Sequence, residues 1–285
     1  MKKQKTCVIV DSSSCIKDNQ IENVYSVPLS IIETSNGNET VYKDLIDINT
    51  TEVVKKILED KNLKTSQSTL GEMIEILEKL TASYDRIFVI SISSGISGSY
   101  NTWNMAREEF VDKDIIVLDA KDLGYGNEIV VKEIFKLVEQ NKTNQEIIDY
   151  VEDRKKRRYA ALVVTDISQL KKGGRIGAAK AWIVDKLKLN IIITFDGSLD
   201  FFDKSKDFNK TIDKCIEKIG SETGFKTKGI KNACIYTTFL ENNKNFEIKS
   251  IVDEKIGFKT ELKEMPSAIA VHTGAKAFAI YIEAN

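Results

Sequence analysis

The chain is expected to fold as α/β with two domains, and three observations in its 285 residues predict this. Short apolar runs alternate with amphipathic stretches through the first half, the pattern of a parallel sheet flanked by helices. One such run, Phe88 to Ile92, passes straight into Ser93-Ser94-Gly95-Ile96-Ser97-Gly98-Ser99-Tyr100, after which Trp103, Ala106 and Phe110 follow at helical spacing. The pattern then restarts at Tyr159 to Thr165 after a run of basic residues, which divides the chain into an N-terminal domain over 1–158 and a C-terminal domain over 159–285.

Taken in order, Thr6 to Val10 is the first strand and Tyr25 to Ile32 the second. Thr69-Leu70-Gly71-Glu72 fits a capping box, and Leu70, Met73, Ile74, Leu77 and Leu80 then recur on one helical face. Ile115 to Leu118 is a further strand. Gly124-Tyr125-Gly126 behind it is half a dinucleotide fingerprint, with Ile129 at the third glycine position, so it reads as a βα turn. Thr143-Asn144-Gln145-Glu146 is a second capping box opening a helix that ends in Arg154-Lys155-Lys156-Arg157-Arg158. Cations at a helix C-terminus offset the dipole and an interdomain connection is a common place for charge, so this run is not expected to be a nucleic-acid patch.

In the second half, Leu189 to Phe195, the turn Asp196-Gly197 and Leu199 to Phe202 form a hairpin. A helix is expected from about Phe208 to Ile219, with strands at Ala233 to Thr237 and around Phe258. Ala268 to Val271 reads as a strand leading into the turn His272-Thr273-Gly274, and Ala275 to Ile282 alternates small and large apolar residues.

Lys plus Arg (42) nearly balance Asp plus Glu (43), so no net field draws the protein to nucleic acid or an anionic membrane. A small molecule or another protein is the expected partner. The apolar stretch near the N-terminus, Cys7 to Val10, is stopped by Asp11 and is too short for a signal peptide, and no run approaches a membrane span, so a cytoplasmic location is expected. Cys7, Cys15, Cys215 and Cys234 show no Cys-x-x-Cys pairing, and with a single histidine they offer no conventional zinc set. No metal or cofactor is expected.

The loop after Ile92 offers backbone N–H groups, hydroxyls and a helix start, which together suit an anion. Two familiar chemistries fail on it. A nucleophile elbow needs Gly-x-Ser-x-Gly, but Gly95-Ile96-Ser97-Gly98-Ser99 lacks the closing glycine. A Walker loop needs Gly-Lys followed by Ser or Thr, which occurs nowhere in the chain.

Thr65-Ser66-Gln67-Ser68, the loop Ser93 to Tyr100, Leu170-Lys171-Lys172-Gly173-Gly174-Arg175-Ile176 and Val271-His272-Thr273-Gly274 form an ordered series. With Val8-Ile9-Val10-Asp11-Ser12, Val27-Pro28-Leu29 and Tyr42-Lys43-Asp44, the series resembles the DegV family of bacterial fatty-acid-binding proteins over nearly the whole chain. The resemblance implies two α/β domains with a long-chain fatty acid between them. Its carboxylate would be held by Thr65, Ser66, Ser93, Ser94, Gly95, His272 and Thr273, with the choice between Ser93 and Ser94 for the direct contact left open. Hydroxyls, amides and one imidazole supply the several donors that a carboxylate removed from water needs. The resemblance further implies a lipid-binding subunit without catalytic residues of its own. It would present the acid to a separate ATP-dependent fatty acid kinase, which forms acyl phosphate for phospholipid synthesis, and Arg175 and Lys206 would dock that kinase.

The sequence departs from the family pattern at three places. Ser68 stands where proline usually follows Thr-Ser-Gln, Gly274-Ala275-Lys276 replaces Gly-Pro-Gly, and Asn190-Ile191 replaces a Lys-Pro signature. Lys276 so near the expected carboxylate either alters affinity or points to solvent. The rival reading is an independent serine hydrolase or acyltransferase using Ser93 or Ser97 with His272, although no acidic orienter lies near His272 in sequence. A third reading keeps the site and changes the ligand to another amphipathic carboxylic acid.

Overall fold

A computed structural model describes residues 4–174 and 189–285. The first apolar run forms β1 (Thr6–Asp11), buried along its whole length, and Asp11 caps a single 3-10 turn at Ser12–Ser14. The expected second strand divides at Pro28. β2 (Val24–Val27) pairs parallel with β1, while β3 (Ser30–Ser35) enters a different sheet. Proline has no N–H for a ladder, so the break falls there. β4 (Asn38–Lys43) returns on β3 through Asn36-Gly37, both at positive φ as a tight hairpin requires. After α1 (Thr50–Leu58), capped by an Asn49/Glu52 box, β5 (Asn62–Ser66) pairs with the other side of β3. This antiparallel sheet, in the order β4-β3-β5, was not anticipated from the sequence.

α2 (Leu70–Thr81) begins at the expected capping box. β6 (Arg86–Ile90), α3 (Ser99–Glu108) and β7 (Asp114–Leu118) complete a parallel sheet in the order β2-β1-β6-β7. Met73, Leu77 and Trp103 of α2 and α3 pack on one face with Ile9 and Val89. α4 (Tyr125–Glu139) and α5 (Asn144–Lys155) cover the other through Val130, Ile134 and Val151, against Val8, Val10 and Phe88. The chain leaves β1 in opposite directions to reach β2 and β6, so a crevice opens at the carboxyl ends of β1 and β6.

The second half builds β8 (Arg158–Val164), α6 (Ser168–Gly173), and the expected hairpin of β9 (Asn190–Phe195) and β10 (Leu199–Ser205). α7 (Phe208–Thr223), α8 (Phe225–Lys228), β11 (Ile230–Thr237), α9 (Asn242–Ile256), β12 (Glu261–Glu264), α10 (Ser267–Thr273) and β13 (Ala277–Ala284) follow. Six strands form one sheet, ordered β10-β9-β8-β13-β11-β12. Alternation along β13 sends Phe278, Ile280 and Ile282 into a core with Ile212 of α7 and Ile248 of α9, and leaves Ala277, Ala279 and Tyr281 on the opposite face.

Two expectations fail in instructive ways. Phe258 is not in a strand: it follows α9 and Gly257, whose positive φ ends that helix, and pairing starts only at Glu261. Ala268 to Val271 is helical, set between Pro266 at its start and Gly274 at its end. Both faces of α10 are covered because Ala270 and Val271 bury against Ile31, Val53 and Leu63 of the three-stranded unit, which makes the segment look like a strand by composition. The basic run ending α5 is only partly solvated. Arg154 and Arg158 are 1% and 2% exposed. Arg154 bridges Asp122 at 3.0 Å and Glu283 at 3.1 Å and donates to Tyr281 Oη, and Arg158 ties the carbonyls of Lys121 and Asp196 together.

Candidate functional site

A cavity of about 300 Å³ lies between the first-half loops, α10 and the inner face of the six-stranded sheet. Ala160, Leu162 and Ala279 make its floor, with Phe195 and Leu199 beside them. Leu29, Ile92, Ile96 and Leu123 close it from the first half, and Leu170, Met265 and Ile269 from the second. The two alanines, Ala160 and Ala279, leave apolar space above the sheet.

Polar groups gather where β5 meets α10. Thr65 Oγ1 and His272 Nε2 are hydrogen-bonded at 2.8 Å, joining residues 207 positions apart in sequence. Ser66, Gln67, Ser97 and Thr273 line the cavity with them. The Thr273 hydroxyl is buried, and no protein group among the described residues bonds to it. α10 is held over the site by Thr50 of α1, whose hydroxyl donates to the Met265 carbonyl at 2.8 Å. α6 presses on the imidazole: a methyl on Gly173 would stand 2.1 Å from His272 Nδ1, so glycine is the residue that lets the ring lie there. Ser68, in the position of the missing proline, is buried and donates to the Pro28 carbonyl at 2.9 Å, fixing the same turn by a different bond. The Lys276 side chain is exposed, and among the cavity-lining residues it has no place.

Ser93, Ser94 and Gly95 are not among the residues that line the cavity. Ser93 is fully buried and donates to the Gly197 carbonyl at 2.5 Å. The Ser94 hydroxyl accepts from Lys121, which also pairs with Asp119 at 3.1 Å. Gly95 lies flat against the β9–β10 turn, where a methyl would meet the Gly197 carbonyl oxygen at 2.2 Å. The serine loop thus fastens the first half of the chain to the second, and Ser97, two residues further on, is its hydroxyl in the cavity wall. Behind the loop, Asp11 accepts from the Ile92 N–H at 2.7 Å and from Ser13. Burial pushes its carboxyl up to about 6, against the hydrogen bonds that favour the charged form.

Lys206 is exposed between β10 and α7, and Arg175 lies outside the described residues. Asp122, Tyr236 and Tyr281 also line the cavity. Sequence reasoning missed them, since they come from a turn and two strands with no shared motif; only the small–large alternation along β13 hinted at a cavity on that sheet. Among the described residues no helix is long and apolar enough to cross a membrane, and no three His, Cys, Asp or Glu side chains are grouped to hold a metal.

Residues 5–285 match the family model described as an uncharacterised protein of the DegV family. A DegV domain-containing protein of Mycoplasma genitalium is 30% identical over 292 residues, covering 97% of both chains. Another from Ureaplasma parvum is 32% identical over 211 residues, 73% of this chain and 98% of that one. Among solved structures, a DegV family protein from Thermus thermophilus, described for its fatty acid binding, superposes with a TM-score of 0.83 at 20% identity, over 99% of this chain and 100% of that one. DegV of Bacillus subtilis, described as a fatty acid binding protein, gives 0.82 at 23% identity over 98% and 99%. These superpositions establish the shared fold of two α/β domains.

Proposed function

The chain belongs to the DegV family, and from that premise we propose that it binds a long-chain fatty acid in the cavity and presents the carboxylate to a separate ATP-dependent kinase. The observation that carries the reading is a single cavity with an apolar floor on the six-stranded sheet and hydroxyl and imidazole groups where β5 meets α10. The fatty acids bound by the Thermus and Bacillus relatives support the same choice of ligand. Each buried methylene contributes about 0.8 kcal/mol, so a long tail supplies on the order of 10 kcal/mol before ordering costs, and the polar end supplies orientation. In this proposal Thr65, Ser66, His272 and Thr273 receive the carboxylate, joined by Ser97. Ser93, Ser94 and Gly95 act one step back by holding the loop. The domains divide at 158/159, with α10 crossing to pack on the first.

The serine-enzyme reading has little support from the geometry. Ser93 is committed to Gly197, Ser97 pairs with Ser99 at 3.1 Å, and His272 Nε2 faces Thr65.

Thr65→Val and His272→Gln should each weaken binding of oleate or palmitate by about 1.5–3 kcal/mol, the worth of a hydrogen bond to a charged group, while tail burial keeps binding measurable. Calorimetric titration of delipidated protein checks this, and unchanged affinity in both variants would place the carboxylate elsewhere. Kinase docking is assigned to Arg175, two positions after the end of α6 in sequence, and to the exposed Lys206. Arg175→Ala should retain the bound acid yet lose acyl phosphate formation when a fatty acid kinase and ATP are supplied. Loss of the acid as well would move Arg175 into the ligand site.

A further inference from the structure

The cavity has a second group of polar residues, drawn from other elements than the first. His272 and Thr273 belong to α10, whereas Tyr281 stands on β13, ~13 Å along that strand from its first residue at the usual rise. Tyr236 stands beside Ala279 in the neighbouring strand, and Asp122 accepts from Tyr281 Oη at 3.3 Å. Asp122, Tyr236 and Tyr281 all line the cavity, so part of its wall is a carboxylate and two phenols.

Two hydrogen-bonding capacities there are unused. Tyr236 is 4% exposed, and its oxygen accepts from the Tyr125 N–H, but its own proton has no acceptor among the described residues. A buried phenol usually finds one. Asp122 accepts from Arg154, Tyr281 and the Leu123 N–H, three of the roughly four positions a carboxylate offers. Burial, with Cys234 and then Asp122 adding to it, raises the Tyr236 hydroxyl well above the usual phenol range.

We propose that the cavity selects an acyl chain bearing a hydroxyl group, which accepts from Tyr236 and donates to Asp122. This rests on the fatty-acid reading of the same cavity. A hydroxyl alone satisfies both partners: a second carboxylate would be repelled by Asp122, a ketone or ether only accepts, and a plain methylene leaves the Tyr236 proton buried without a partner. A site built to bond a hydroxyl discriminates against the analogue that lacks it.

The test is calorimetric titration of the delipidated chain with octadecanoic acid and with monohydroxyoctadecanoic acids carrying the hydroxyl at successive positions. One position should bind about tenfold tighter than octadecanoic acid, the worth of one or two buried hydrogen bonds. Tyr236→Phe should erase that preference, so that within the variant every acid of the series binds within about twofold of octadecanoic acid. A flat positional series in the unmodified protein, or a preference that survives Tyr236→Phe, overturns the proposal. If octadecanoic acid still binds in that outcome, the fatty-acid reading stands without it. Should no acid of the series bind, both fall together. The positional series decides the matter on its own if the variant does not fold.

Discussion

Arg154→Met should lower the unfolding free energy by about 3–5 kcal/mol, because removing one member of a buried ionic cluster leaves the others charged and unpaired. Three nitrogens of this guanidinium reach three different acceptors, Asp122, Glu283 and Tyr281, and the arginine and both carboxylates are at most 2% exposed. Methionine keeps much of the volume and none of the donors. Compensation is limited. Arg158 Nε is 3.6 Å from Asp122, and Arg157 reaches the other oxygen of Glu283 at 3.2 Å, so the loss belongs at the lower end of the range if those two side chains reorient. Urea titration followed by far-UV circular dichroism measures it. A loss under about 1 kcal/mol would mean that the cluster does not act as the joint between α5, the Asp122 turn and β13.

Gly95→Ala should cost on the order of 3 kcal/mol, although it adds a single methyl. The obstruction is the Gly197 backbone, with its carbonyl oxygen 2.2 Å and its carbonyl carbon 2.8 Å from the new carbon. Backbone cannot swing aside as a side chain does, so the serine loop and the β9–β10 turn must separate, and the buried Ser93 hydroxyl loses its acceptor. Gly71→Ala is the matched control: it sits in α2 with nothing within 4 Å of the added carbon, and should be neutral or stabilising by up to ~1 kcal/mol. Thermal and chemical denaturation of the pair reports the difference. Equal stabilities would remove the case for Gly95 as the contact between the two halves.

The parallel sheet, the helices begun at Thr69 and Thr143 and the β9–β10 hairpin were legible because each rests on a local rule: alternation of element types, a capping box, a turn flanked by apolar runs. Other signals were present and passed over. Asn36-Gly37 is a strong hairpin dipeptide, and Asn49 with Glu52 is a capping box ahead of Val53, Val54 and Ile57. α10 was harder, since a helix covered on both sides shows no amphipathic period. At the site, Thr65, Ser66, His272 and Thr273 came from motifs and lie at the cavity. The motif also nominated Ser93 and Ser94, and nothing local distinguishes a serine facing the cavity from one facing a carbonyl 104 residues away. The burial of Arg154 at the end of α5 was hidden for the same reason, because its partners Asp122 and Glu283 are distant in the chain.

The place of β13 bears on how the molecule is made. It is the last strand of its sheet in chain order, yet it lies inside the sheet, between β8 and β11. A nascent chain extended only as far as β12 holds two inner edges with no strand between them, the kind of open template that recruits wrong partners. α10, emerging just before β13, is also what covers Ile31, Val53 and Leu63 of the three-stranded unit translated some two hundred residues earlier. Both halves are therefore finished by the same short stretch, and the joining contacts are of very long range, which makes for slow folding and a period of exposure during translation. In the proposed function, loading of the cavity accordingly waits until α10 is in place and Thr65 has met His272.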